Sequence, residues 1–412
     1  MKRSILFFAL ALAAVAACDS SNTSDLGGSS ARRGSSGAGG GDDDDSNTTS
    51  GANGTGANGT GANAKPTDNR VTDYGEALRS ASLKLVGELP TLAEIKSVGD
   101  AADDGAKKAA LAAAVDKYLA DPRFTEMQIQ WWRNTFKTGA DTGARPAAGA
   151  PSLDTAATFA AEVVVKDRPY TDLLTATTGT CPTFANGNFT DANCNTNAKV
   201  SGVLTDPGLM SQYTSNMAFR RVRFVQETFD CTKFPTELKG EGVPMGAGTY
   251  TSPWAFESIS GGTGSKVDFH DTSAVICANC HSTMNHIAPL FANFDAKGQF
   301  QNSIQVQTPV TPPVTSILSD WLPSGESLAW RSGTTVTDIP SLGQAMAKDP
   351  EVLACAVTRV WNWALSRGDV VNDGAVVPAS VIKDQVTAFT TGGTKLKPII
   401  RAVFTSDDFA KF

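Results

Sequence analysis

Residues 120–136 read ADPRFTEMQIQWWRNTF. Asp121 can cap a helix, and Pro122 can take its first position, where a missing N–H costs nothing. Phe124, Gln128, Trp131 and Phe136 then recur at helical spacing, with Trp132 beside them. The same opening returns at 348–368, KDPEVLACAVTRVWNWALSRG. There Asp349 caps, Pro350 opens, and Val352, Ala356, Val360, Trp361 and Leu365 run down one face. Trp361 and Trp363 fall on different sides of that helix, which leaves one of them a candidate for exposure. The tryptophans read first as core residues and only second as electron relays.

Outward from these anchors the helical pattern continues. In LPTLAEIKSV (89–98), Thr91 and Glu94 form a capping-box pair. In KKAALAAAVDKYLA (107–120), Leu111, Val115, Tyr118 and Leu119 share a face. Residues 200–229, VSGVLTDPGLMSQYTSNMAFRRVRFVQETF, predict two helices with a break near Asn216. The tail LKPIIRAVFTSDDF (396–409) predicts another helix. Loops rich in Gly, Thr and Pro separate these pieces, notably 138–155 and 232–265. Period-two alternation is rare, and SIQVQTPV (303–310) is its best instance.

The 412 residues are 41% hydrophobic and 19% charged, with a net charge of −7. No basic block is present, which argues against a nucleic-acid partner, since phosphate neutralisation needs clustered Lys and Arg. The N-terminus reads as an export signal. Lys2 and Arg3 precede the apolar run SILFFALALAAVAA (4–17), shorter than the usual span of about 20 residues. The run ends in VAAC, which resembles a bacterial lipoprotein signal with Cys18 as the lipidated residue. That reading implies a mature chain anchored by lipid at a bacterial cell envelope, periplasmic or at the cell surface. Residues 19–66 carry almost no large apolar side chains and include a GANGT repeat and Asp42–Asp45. Such a stretch cannot bury enough surface to offset its ordering entropy, so it reads as a tether with a reach of roughly 40 Å.

Two cysteines and a histidine stand out in CANCH (277–281). The spacing fits c-type haem attachment. Two thiols, Cys277 and Cys280, can add to the two vinyl groups on one porphyrin edge, and His281 then supplies the proximal iron ligand. A thioredoxin-like dithiol would need a βαβ setting, which the pattern lacks. A structural zinc site would need a second Cys/His pair, and the other cysteines are scattered singly. The chain has seven cysteines and three histidines, His270, His281 and His286. With Cys18, Cys277 and Cys280 assigned, four cysteines remain in an oxidising compartment. Cys181 and Cys194 bracket the polar loop CPTFANGNFTDANC, so the preferred pairing is Cys181 with Cys194 and Cys231 with Cys355. Three pairings are formally possible. The first bond should contribute about 3 kcal/mol on the loop-entropy model.

The stretch CANCHSTMNHIAPLFANFDAKGQF (277–300) resembles the haem-binding segment of the planctomycete-type cytochrome c-like families, domains of unknown function. Cys277, Cys280, His281, Met284, Asn293, Phe294, Asp295 and Gly298 stand where that pattern has them. Asn285 and His286 replace its Asp-Pro pair, Ala288 replaces Gly, Ala292 replaces Glu, and Gln299 replaces Arg. The segments YLADPRFTEMQIQWWRNTF, RPYTDLLTA, GVLTDPGLM…RRVRFVQETFDC, DPEVLACAVTRVWNWALSRG and LKPIIRAVFTSDDF are similar to parts of the same families in the same order, over roughly residues 80–412.

Iron ligation on the far side would set the chemistry. His270 could arch over the distal face, and the families tend to carry a histidine just before CxxCH. His286 lies past His281 and reads as a surface or propionate-contacting imidazole. Met210, Met217, Met245 and Met346 are thioether candidates, with Met210, Met217 and Met346 at positions that also suit a helix core. No GxSxG elbow, P-loop or dinucleotide fingerprint is present.

The expected fold is mainly α, with helical domains and long loops around a c-type haem segment and few short strands. The expected division is 1–18 signal peptide, 19–70 tether, 71–235 N-terminal helical domain, 236–330 haem-binding segment and 331–412 C-terminal helical domain. The expected function is single-electron transfer by one covalent haem c with an unidentified redox partner protein. The alternatives are a peroxidase- or oxygenase-like haem enzyme and a surface binding or assembly protein that uses haem structurally.

Overall fold

A computed structural model describes residues 67–139, 150–194, 199–215, 218–234, 283–302, 306–307, 315–316, 327–372 and 375–412. All of these fall within one compact unit. Helix is the dominant state, and the strands form three two-stranded pieces.

Local chemistry explains where the first helices begin. Helix α1 (Tyr74–Leu85) starts at Asp73, whose carboxylate accepts from the N–H groups of Gly75 and Glu76. Helix α2 (Leu92–Gly99) opens on the capping box expected of Thr91 and Glu94. Helix α3 (Asp104–Ala120) buries Leu111, Val115, Tyr118 and Leu119, the face the spacing picks out. Helix α4 (Arg123–Thr135) starts one residue later than the sequence suggests. Asp121 is extended because it also terminates α3, so Pro122 becomes the cap residue. The Asp121 carboxylate still accepts from the Arg123 N–H at 2.9 Å.

Helix α5 (Thr155–Val165) has no polar face: every residue from Ala156 to Val164 is buried. It packs along α4, and the Arg133–Asp154 ion pair at 2.9 Å closes one end of the pair. A short helix α6 (Asp172–Thr175) and an antiparallel hairpin, β1 (Thr183–Ala185) with β2 (Asn188–Thr190), follow. A single 3-10 turn, Gly202–Thr205, leads into α7 (Pro207–Gln212), and α8 (Phe219–Phe229) follows the expected break.

Beyond these come α9 (Ala288–Phe291), the ladder of β3 (Val306–Gln307) with β4 (Thr315–Ser316), and the ladder of β5 (Ala329–Trp330) with β6 (Thr334–Thr335). The strand expected over 303–310 is therefore realised at Val306–Gln307. Four helices complete the chain: α10 (Ile339–Lys348), α11 (Pro350–Ala364), α12 (Ala379–Thr391) and α13 (Leu396–Phe404). Asp349 caps α11 and Pro350 opens it, as expected.

The last helices pack back on the first. Helix α13 lies against α3, α5, α11 and α12. Trp363 of α11 stacks on Trp131 of α4 at 5.1 Å, and Trp131 touches Trp132 at 4.7 Å. Trp361 is buried and Trp363 half-buried, so neither stands free in solvent. At the edge of the body, Val71 and Phe412 exchange two backbone hydrogen bonds, of 3.1 and 2.8 Å. No helix among the described residues is long and apolar enough to cross a membrane.

Candidate functional site

Cys18, His270, Cys277, Cys280 and His281 lie outside the described residues, as do Met217 and Met245. The description resumes at Thr283, directly downstream of CANCH. From there to Phe294 the chain is almost wholly buried. Met284, Ile287, Leu290 and Phe291 are in the core, and His286 is 4% exposed. The surface reading of His286 is therefore corrected. Its neighbours Met284, Ile287 and Ala288 are buried in the core with it, and the Ala329 N–H of β5 donates to the His286 carbonyl at 3.1 Å.

One buried cation holds this stretch in place. Arg221 of α8 is 1% exposed and faces backbone carbonyls rather than a carboxylate. Its Nη1 donates to Phe291 O at 3.0 Å and Phe294 O at 2.7 Å, and its Nη2 to Asp295 O at 2.7 Å. Its Nε donates to Met210 O at 2.8 Å, at α7. The planar fork thus ties α7, α8 and the post-motif segment together, a task that a point-charge ammonium could not perform. Burial lowers the guanidinium pKa to about 10, against an opposing pull from the Asp295 charge. That value still leaves it charged at neutral pH.

The residues Asn293, Phe294, Asp295 and Gly298 build the turn on which Arg221 closes. Asp295 accepts from the N–H groups of Lys297 (2.8 Å) and Gln299 (2.9 Å) and from Gln301 Nε2 (3.0 Å). Asn293 O accepts from the Gln301 N–H at 2.7 Å, and Phe294 meets Phe300 edge-on at 5.6 Å. Gly298 has φ +69°, and a Cβ there would lie 2.0 Å from the Pro207 carbonyl oxygen. The Ser211 hydroxyl also donates to Ala296 O at 2.8 Å, so the turn sits directly on α7.

A second clamp joins α8 to α11. Cys231 and Cys355 form a disulfide with Cα atoms 5.5 Å apart. Beside it Arg331 contacts Asp230 at 2.5 Å and Glu351 at 2.7 Å, and Arg359 donates to the carbonyls of Thr228 (2.9 Å) and Glu227 (2.6 Å). Burial pushes the Asp230 carboxyl up, and Arg331 opposes that shift. Cys181 pairs with Cys194, Cα atoms 5.6 Å apart, so both preferred disulfides are present. Of the seven cysteines, the two disulfides leave Cys18, Cys277 and Cys280.

Met210 and Met346 are completely buried in the core of α7 and α10, as their helical positions suggest. Among the described residues the one cluster of metal-ligating residue types is Cys181, Cys194 and Asp206. Its two sulfurs are bonded to each other, which removes them as thiolate ligands. Arg221 escaped the sequence reading. The signal was there: in RRVRF (220–224), Arg221 shares its face with Val225, which is buried, whereas Arg220 and Arg223 are exposed.

Residues 61–222 match the model of the family PSCyt2, described as a protein of unknown function (DUF1549). The match supports a planctomycete-type domain of unknown function over that stretch. It takes in α1 to α7 and the Arg221 end of α8, and it stops short of CANCH. No curated protein and no solved structure matches the chain.

Proposed function

We propose that the chain is an exported, lipid-anchored monohaem c-type cytochrome that transfers single electrons at the bacterial cell envelope. The observation that carries this reading is CANCH running straight into a buried segment that Arg221, β5 and α7 hold from three sides. Two facts fit haem there. Cys277 and Cys280 are left over by the disulfides. The described residues that follow, Met284, Ile287, Leu290 and Phe291, are buried in the apolar core, which anchors the segment directly after the motif. Cys277 and Cys280 would carry the thioether bonds, His281 the proximal coordination and His270 the distal one. Haem c supplies a one-electron couple when bound. The chain's own contribution is to fix the residues after His281 in one conformation and to keep them dry, which limits reorganisation around a changing charge. Cys18 would carry the lipid that holds the body at the membrane.

The test is a spectrum and a mass. Full-length protein from a host competent in haem c maturation should gain one covalent haem, lost in Cys277→Ser/Cys280→Ser. Its oxidised and reduced spectra should be low-spin and insensitive to carbon monoxide, and His270→Ala should turn them high-spin. Rapid reaction of the unmodified protein with carbon monoxide or peroxide would replace the carrier by an enzyme. A haem-free product from such a host would sink the haem reading altogether.

A further inference from the structure

The hairpin β1–β2 carries chemistry that electron transfer through CANCH does not use. Cys181 is 3% exposed at its base, while Cys194 is half-buried. Asp206, at the start of α7, is 2% exposed, and its Oδ2 lies 3.6 Å from Cys181 Sγ. The other contacts of this carboxylate are uncharged: the Thr155 hydroxyl at 2.6 Å and the Leu209 N–H at 2.9 Å. A cavity of about 390 Å³ opens on the same loop, lined by Arg168, Thr178, Gly179, Asp191, Ala192 and Asn193. Its lining runs up to the residue directly before Cys194.

We propose that Cys181–Cys194 is a thiol–disulfide exchange site, where an external dithiol attacks Cys194 and Asp206 protonates the departing Cys181 sulfur. The steps balance as follows. One thiolate of the dithiol bonds to Cys194 Sγ, the Cys181–Cys194 bond breaks, and its electron pair goes to Cys181 Sγ. Cys181 takes the proton of Asp206 and becomes a thiol. The second thiol of the dithiol then attacks the mixed disulfide and leaves as a cyclic or internal disulfide. Cys194 departs with the electron pair and is protonated from water, and Asp206 recovers its proton from the same source. The dithiol is oxidised by two electrons and the protein disulfide is reduced to two thiols.

Geometry sets the direction of attack. Cys181 is the more deeply buried of the pair, so attack comes at Cys194 and Cys181 is the leaving sulfur. A thiolate left in that buried position would be costly, and a neighbouring acid removes the cost. Burial raises the Asp206 pKa to about 6, against the pull of its hydrogen bonds, so a fraction holds a proton near neutral pH. At the other disulfide the contact of Cys355 Sγ is a carbonyl, Thr228 O at 3.7 Å. The carboxylate nearby, Asp230, though also raised by burial to about 6, is engaged by Arg331.

Full-length protein would be treated with dithiothreitol without denaturant, quenched in acid and alkylated, and each cysteine peptide weighed. Cys181–Cys194 should open at least tenfold faster than Cys231–Cys355. With glutathione in place of the dithiol, the adduct should sit on Cys194. Asp206→Asn keeps a side chain able to cap α7, and it should slow opening by roughly 10²-fold. A purely structural loss would loosen the hairpin and speed opening, the opposite sign. The proposal is overturned if both disulfides resist alike, if glutathione is found on Cys181, or if Asp206→Asn opens as fast as the parent. Should that variant not fold, the adduct position and the relative rates of the two disulfides in the parent protein decide.

Discussion

Arg221 shows how a buried charge can be held with no carboxylate in direct contact. Its donors meet carbonyl oxygens from α7 and from the Phe291–Asp295 stretch, so the cation is solvated by backbone dipoles. Removing it would take a donor from each of these oxygens. Asp295 O would keep the Gly298 N–H at 3.0 Å and Phe291 O the Phe294 N–H at 3.4 Å. Phe294 O would lose a bond of 2.7 Å, and a buried unsatisfied polar group costs more than the net value of the bond it loses. Arg221→Met should therefore lower stability by about 3–5 kcal/mol. Arg221→Lys should recover only part of this, since one ammonium cannot reach both Met210 and Asp295. Urea melts of the three proteins give the comparison. A loss below about 1 kcal/mol in Arg221→Met would mean that the fork contributes little.

At the scale of elements, the post-motif turn depends on a glycine for two separable reasons. Gly298 has φ +69° and also abuts the Pro207 carbonyl, whereas Gly187, in the β1–β2 hairpin, has φ +78° with open space around it. Gly187→Ala should cost about 1 kcal/mol, the left-handed backbone penalty alone. Gly298→Ala adds overpacking and should cost about 2–4 kcal/mol. Equal losses in thermal melts would show that the close approach to α7 relaxes freely. The helices that the sequence announces are those with a polar side to contrast with an apolar one, or with a side-chain cap. Thr91 with Glu94, and Asp349 with Pro350, mark their helices correctly. Helix α5 went unread because TAATFAAEVVV is buried on all sides, and a helix without a polar face has no periodicity to detect. Asp121 misled by one residue because it serves two helices at once. In the post-motif stretch, resemblance marked Asp295 and Gly298, yet their work became visible only with α7 beside them. Long-range contacts of that kind leave no spacing in the sequence.

Across the whole molecule, the two disulfides act on very different lengths of chain. Cys231–Cys355 joins residues 124 apart in sequence, and Cys181–Cys194 residues 13 apart. On the loop-entropy model the long cross-link contributes about 5 kcal/mol and the short one about 3 kcal/mol. Cys231→Ala/Cys355→Ala should therefore lower the melting temperature more than Cys181→Ala/Cys194→Ala. The opposite order in calorimetry would mean that local strain or residual structure in the unfolded chain outweighs loop length. The long bond also encloses CANCH within its loop, and its loss would leave α8 tied to α11 by Arg331 and Arg359.

The pairing of Val71 with Phe412 gives the body a mechanical polarity. Pull arriving along the chain before Val71 meets first the Thr67–Asp408 side-chain bond of 2.9 Å and the two backbone bonds to Phe412. A third backbone bond, from the Asp73 N–H to Ala410 O at 2.7 Å, carries this ladder on towards α1. Next in line stands α1, whose inner face of Ala77, Leu78, Ala81 and Leu85 is buried in the core. A steady tug on the leading end would thus part it from residues 408–412 and then load α1 against α2, α3 and α4.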